Sequence, residues 1–226
     1  MNKNLRGCLK NVPCFIIGNG PSLNDHDLSL IDGYFTLGIN RAYLKIDPCL
    51  LIFQDDELLK DKKLFKTKCL KLCKKYNRPH NNFFRFKLIE KYGFKISDST
   101  KILYGNGATA PLAFQVAYAL GCDPIVLLGM DCKESNGITN FYGNNKYHNS
   151  NTMKYCLSGL KWIKDNSGDK TIINCSDNSF WEKASLEDAI NRISKKWEIG
   201  KNEYIQVLLG HSNLSIIRNI ESSSNE

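Results

Sequence analysis

Residues 15–23 read FIIGNGPSL, a short apolar run that stops at two glycines bracketing Asn19 and continues into Pro21 and Ser22. A buried strand ending in such a turn, with a helix to follow, is how an open parallel sheet offers a strand end to a ligand. Two glycines let the backbone come close, and free N–H groups at a helix start attract an anion. The turn therefore predicts a phosphate or carboxylate cradle built from Gly18, Asn19, Gly20 and Ser22. Neither standard nucleotide fingerprint is complete. Leu23 stands where the dinucleotide motif has its third glycine, and no Gly-Lys-Ser/Thr follows as in a P-loop.

Working outward, apolar runs alternate with helical patterns. VPCFIIG (12–18), YFTLGIN (34–40), CLLIFQD (49–55), PIVLLGMD (124–131) and TIINCS (171–176) read as buried strands. Helices are predicted over about 24–31, as a basic amphipathic stretch over 57–75, over 108–121 with Gly121 as C-cap, over 151–166 and over 185–197. Between Asn81 and Leu103 the pattern is weak, with NNFFRFKL and KILY as short strands around a DST turn. This order predicts an α/β chain: an open, mostly parallel, doubly wound Rossmann-like sheet with helices on both faces. Residues 1–197 are expected to form one nucleotide-binding catalytic domain, and 198–226 a small appendage with a disordered end. The VLLGHSNLSII stretch (207–217) has a local likeness to a DNA recombinase segment, but no tyrosine follows His211 and the fold pattern is different.

Polar residues mark the ends of the strands: Asn19, Asn40, the Gln54-Asp55-Asp56 run, Asp131, and Asn174 with Ser176. Delivered to one edge, they predict a polar cleft. A second Gly-Asn-Gly at 105–107 precedes a helix, which places Asn106 and Thr109 beside a second anion-tolerant start. The loop NFYGNNKYHNSNT (140–152) supplies the titratable group. His148 is the candidate general base or acid, and Tyr142 and Tyr147 are candidates to bind a leaving phosphate or stack on a ring. His26 and His80 have weaker cases.

Composition limits the partners. The chain has 226 residues, 42% hydrophobic, with no apolar run long enough to span a membrane and no signal-peptide core at its start, so a cytoplasmic protein is expected. Nine cysteines at irregular spacing read as reduced core or helix residues; Cys69 and Cys73 share one predicted helix face without a second zinc-spaced pair. Thirty-one basic against 23 acidic residues give a net charge of +8, which favours anionic partners. A phosphorylated small molecule leads. Nucleic acid is not favoured, and peripheral contact with an anionic membrane stays open.

Taken together, GNGPS (18–22), LGIN (37–40), the block NGATAPLAFQVAYALGCDPIVLLGMD (106–131), YHNSNT (147–152) and INCSDNS (173–179) resemble a Rossmann-like superfamily. It holds the bacterial lipooligosaccharide sialyltransferases and the archaeal 6-hydroxymethylpterin pyrophosphokinases; in overall shape the chain looks closest to uncharacterised phage and bacterial members. The sialyltransferase branch implies a nucleotide-sugar donor held by Asn19, Gly20, Ser22 and Asn40, with Thr109 near it, Tyr142 and Tyr147 at its phosphate and His148 activating an acceptor hydroxyl. Gly107-Ala108-Thr109 stands where that branch tends to carry Ser/Thr-Ser-Gly, so the likeness does not extend to the sugar. The pyrophosphokinase branch implies a nucleoside triphosphate and Mg2+ held by strand-end carboxylates, here Asp55 and Asp131. The expected function is thus a nucleotide-dependent transferase, first a glycosyltransferase, with a magnesium-dependent pyrophosphokinase and a non-catalytic nucleotide-binding module as alternatives.

Overall fold

In the computed structural model, described over residues 5–75, 82–90, 95–105, 107–144, 150–193 and 199–210, the chain is an open parallel α/β sheet. Its strands are β1 (Cys14–Ile17), β2 (Phe35–Ile39), β3 (Leu50–Phe53), β4 (Leu70–Cys73), β5 (Phe83–Arg85), β8 (Ile125–Leu128) and β9 (Ile172–Asn174). They lie in the order β5-β4-β3-β2-β1-β8-β9, all parallel. Two further strands, β6 (Lys87–Ile89) and β7 (Ile102–Tyr104), form a separate parallel pair. The chain runs outward from β1 to β5 and then returns to the other side of β1. The reversal lies between β1 and β8, where open sheets of this kind bind ligands.

Side chains along each strand alternate between two cores, which is why the strands read as continuous apolar runs. On one face Cys14, Ile16, Leu37, Ile52 and Leu127 pack under α2 (Ala110–Leu120), α3 (Ser150–Asn166) and α5 (Lys201–Leu209). On the other, Phe15, Ile17, Leu51, Phe53 and Val126 pack under α1 (Lys62–Lys66), α4 (Leu186–Arg192) and several short turns. Gly121 caps α2 at φ 86°, in the left-handed region where glycine carries no side-chain penalty. The N-terminal segment is tied to that cap, with Gly7, Leu9 and Asn11 donating to the carbonyls of Ala119, Leu120 and Gly121.

Three predicted elements take a different form. The helix expected over 24–31 is two 3-10 turns, Pro21–Asp25 and Leu28–Ile31, the second restarted by Asp27, whose side chain accepts from the Ser29 amide. The basic helix expected over 57–75 is a 3-10 turn (Asp56–Lys60), the single-turn α1, and then β4. Cys69 and Cys73 therefore belong to a strand segment facing the second core, not to a helix. Lys71 disguised this strand: it is fully buried, its ammonium donating to the carbonyls of Thr67 and Cys69 (3.0 and 2.8 Å) and lying 5.3 Å from the centre of the Phe83 ring. The helix expected over 185–197 is described as α4, with Ser185 accepting from the Asp188 amide; 194–198, where the expected domain boundary falls, lies outside the described residues, as does His211. No helix among the described residues is long and apolar enough to cross a membrane.

Tyr204 of α5 is fully buried against Phe35, with ring centres 5.5 Å apart. Its hydroxyl has no hydrogen-bond partner among the described residues, and burial pushes its pKa well up. A hydroxyl stripped of water without a new partner costs about 1–3 kcal/mol. Tyr204→Phe is expected to stabilise the protein by about 1 kcal/mol, read as a higher urea midpoint at unchanged slope; a destabilised variant would mean that the hydroxyl is satisfied.

Candidate functional site

A cavity of about 620 Å³ opens beyond the carboxyl ends of β1, β2 and β8, within the size range of small-molecule sites. Of the residues singled out in the sequence, Gly18, Asn19, Gly20, Asn40, Asp55, Thr109 and Tyr142 line it. His148, Tyr147 and Asn106 lie outside the described residues, as does His80. The chain on either side of His148 reaches the cavity, since Tyr142 and Thr152 both line it.

The Gly18–Ser22 turn differs from the predicted anion cradle. Gly18 N and Gly20 N donate to the carbonyls of Leu128 and Gly129, both at 2.7 Å. Ser22 donates twice to Asp131, from its amide to Oδ2 (2.8 Å) and from its hydroxyl to Oδ1 (2.5 Å). The Asp177 amide adds a third bond to Oδ1 at 3.0 Å. Asp131 is 3% exposed and Ser22 5%, and neither lines the cavity. The protein thus fills this helix start with its own carboxylate. Ser22, expected at a ligand, and Asp131, expected at magnesium, are thus bonded to each other, and three donors occupy the Asp131 oxygens.

The glycines serve the same closure. A Cβ on Gly18 would stand 2.3 Å from the Gly129 carbonyl oxygen, and one on Gly20 only 2.4 Å from Asp131 Oδ2. They are glycines because the ends of β1 and β8 touch. Asn174 and Ser176 are likewise internal: Ser176 accepts from Met130 N (2.8 Å), and Asn174 Oδ1 from Ser176 N (3.1 Å). The single polar edge predicted from the strand ends therefore divides into a buried closure around Asp131, Asn174 and Ser176 and an open cleft at the ends of β1, β2, β3 and β8. His26 belongs to the closure, with Nε2 2.8 Å from the Cys175 carbonyl oxygen.

What the cleft presents is acceptors and cations. Asn19 Nδ2 donates to the Ile39 carbonyl at 2.9 Å, which fixes the amide orientation and leaves Oδ1 buried with no partner among the described residues. Asn40 Oδ1 is buried in the same condition. Asn40 has φ 51°, a left-handed backbone that asparagine tolerates better than most residues, at the start of a 3-10 turn. Arg41 and Lys60, which the sequence reading did not single out, line the wall. Arg41 is held by Asp61 at 3.4 Å, and the Tyr43 hydroxyl donates to the same carboxylate at 2.6 Å. Burial works against the Asp61 charge, but Tyr43, the Lys63 amide and Arg41 outweigh it and keep the carboxyl below its ordinary range. Across the cleft α2 starts at Ala110 with Thr109 as an N-cap that makes no side-chain cap bond, while Gln54 Nε2 donates to Thr109 Oγ1 at 3.1 Å. Asp55, Asp56 and Glu57 form an acidic rim; no group of three metal-ligating side chains comes together among the described residues.

No family model matches the chain, and no curated protein matches it. Among solved structures, the fold is similar to that of the MAf glycosyltransferase from Magnetospirillum magneticum AMB-1, with 16% identity over 91% of this chain and a TM-score of 0.55. This chain spans 38% of the length of that protein. The sialyltransferase CstII from Campylobacter jejuni, solved in complex with a substrate analogue, cytidine-5'-monophosphate, is matched at 16% identity over 87% of each chain with a TM-score of 0.44. At such identity the MAf likeness is one of fold, and it shows an open α/β sheet shared with a glycosyltransferase.

Proposed function

We propose that the chain is a glycosyltransferase that moves a sugar from a nucleotide-sugar donor to a hydroxyl acceptor. The observation that carries this reading is the pair of buried, unpartnered amide oxygens of Asn19 and Asn40 at the cleft wall. Each is an acceptor that needs a donor. Ribose hydroxyls, sugar hydroxyls and exocyclic base amines are donors, whereas an ionised phosphate is not. The β1 and β2 ends thus suit the nucleoside. The phosphate suits the cationic part of the cleft, where Arg41 and Lys60 supply positive charge and the start of α2 with Thr109 supplies N–H groups. The fold shared with a glycosyltransferase supports the same reading.

In the reaction, the acceptor oxygen forms a bond to the anomeric carbon as that carbon's bond to the phosphate oxygen breaks. The acceptor proton passes to a base, for which His148 is the candidate, and the nucleotide leaves with the electron pair. Cations and helix N–H groups aimed at the departing phosphate lower the barrier most, because negative charge develops there. Tyr142 lines the cavity and is suited to donate to that phosphate. A magnesium-dependent pyrophosphokinase is not favoured: Asp131 is committed to Ser22 and Asp177, which leaves Asp55 from the expected pair.

A thermal-shift series with CMP, UDP, GDP, ATP and their sugar conjugates, with and without Mg2+, tests the reading. At least one sugar nucleotide should raise the melting temperature at millimolar concentration; if none does, the cleft is not a nucleotide site. Asn40→Gly sharpens the test, because glycine keeps the left-handed backbone and removes only the amide. The variant should bind the nucleotide about 10- to 100-fold more weakly, the worth of one or two hydrogen bonds. Its own stability should move by less than about 1 kcal/mol, since an orphaned acceptor is lost with the side chain. Unchanged affinity in calorimetry would remove Asn40 from the donor site.

A further inference from the structure

Asp61 supports the cleft from behind. Arg41 lines the cavity, whereas Asp61 and Tyr43 do not, so a molecule in the cleft meets the guanidinium of this group and not the carboxylate. The two charged side chains are only 27% and 23% exposed, which leaves their interaction less screened than that of an open surface pair. Among the described residues the one side-chain bond of Arg41 runs from Nη1 to Asp61 Oδ2, at 3.4 Å. The other N–H groups of the guanidinium remain for a ligand.

The carboxylate is fixed without Arg41. Asp61 is the N-cap of α1, and its Oδ1 accepts from the Lys63 amide at 2.8 Å. Its Oδ2 accepts from the Tyr43 hydroxyl at 2.6 Å. Tyr43 is buried and lies in the same 3-10 turn as Arg41, Asn40–Leu44. Each carboxylate oxygen therefore has a donor of its own, and the Arg41 bond is the longest of the three. A long cationic side chain loses rotamer freedom when it grips a ligand, and one already held in place loses less.

We propose that Asp61 is a positioning residue: held by Tyr43 and by the start of α1, it orients Arg41 so that the free edge of the guanidinium meets an anionic group bound in the cleft. That this anion is the phosphate of a sugar nucleotide rests on the reading above; the action of Asp61 through Arg41 does not. The proposal runs against charge counting. Asp61 is negative, so by Coulomb attraction alone its loss would tighten the binding of an anion nearby. Positioning gives the opposite sign. Lys60 lines the same cavity as a compact point charge, which needs no such orientation, whereas the planar fork of an arginine acts only when it is aimed.

Asp61→Asn isolates the role. The asparagine oxygen still caps the Lys63 amide and its nitrogen can donate to the Tyr43 oxygen, so what is lost is the acceptor for Arg41. Asp61→Ser, which also keeps a capping oxygen, is the second variant. Calorimetry with pyrophosphate, CMP and UDP, and with the uncharged cytidine and uridine, compares these with wild type, Arg41→Ala and the Arg41→Ala/Asp61→Asn double variant. Both Asp61 variants should bind the phosphate ligands at least about threefold more weakly, and Arg41→Ala about 10- to 100-fold more weakly. The double variant should stay within about twofold of Arg41→Ala, because Asp61 has nothing left to orient. Nucleoside affinity should stay within about twofold throughout, since neither residue is assigned to the nucleoside. Phosphate binding that is tighter, or weaker by less than about threefold, in the Asp61 variants overturns the positioning role. So does an Asp61→Asn loss that persists in the Arg41→Ala background, or one that is equal for nucleosides, because a structural lesion acts without Arg41 and without regard to ligand charge. If the wild type binds pyrophosphate but neither nucleotide, the donor reading fails and pyrophosphate alone decides the role of Asp61. If it binds none of the three, both fail.

Discussion

Asp131→Ala is expected to destabilise the protein by about 3–5 kcal/mol, a large part of the 5–15 kcal/mol that holds a typical domain together. Truncation strands the amides of Ser22 and Asp177 and the Ser22 hydroxyl in a site that is almost dry. Hydrogen bonds to a charged group are worth about 1.5–3 kcal/mol each, and donors left unpaired keep their desolvation cost. Asp131→Asn should recover part of the loss. One of its atoms still accepts, but the amide nitrogen must face at least one backbone N–H that it cannot accept from. Denaturant unfolding followed by circular dichroism gives the difference, and a loss below about 1 kcal/mol for the alanine variant would refute the clamp. A ligand role for Asp131 would give the opposite pattern, with nucleotide affinity reduced and stability kept.

The largest effect on activity is expected at His148. His148→Ala should lower glycosyl transfer by about 100- to 10,000-fold, the usual span for loss of a general base. Nucleotide affinity should stay within about threefold, because the groups assigned to the donor, Asn19, Asn40 and Arg41, are untouched. Single-turnover rates beside calorimetric binding separate the two quantities. Full activity in the variant would remove His148 from the reaction, and a parallel loss of binding would make it a donor contact instead.

Much of the sheet was legible in the sequence because the central strands β1, β2, β3 and β8 are buried on both faces, so runs such as FIIG and IVLLG carry no polar interruption. Asn19, Asn40 and Asp55 at strand ends and Thr109 at the start of α2, all expected at the cleft, line the cavity. Ser22 and Asp131 each have the right chemistry for a ligand, and only the fold brings them together across 109 positions. Lys71 concealed β4 for a related reason. Its charge argued for a solvated helix, whereas nearby carbonyls and the Phe83 ring hold the ammonium inside. Arg41 and Lys60 drew no notice among so many basic residues.

The contact between Gly20, Gly129 and Asp131 also sets how the protein can change over time. A side chain at position 20 has no room while the carboxylate stands at 131, and the carboxylate loses two of its three donors unless position 22 offers a hydroxyl and an amide. Positions 20 and 22 and the distant position 131 therefore drift as one unit. Among relatives, a substitution at 20 should be found with a compensating one at 131, while Asn19, which lines the cleft, stays free to follow the ligand.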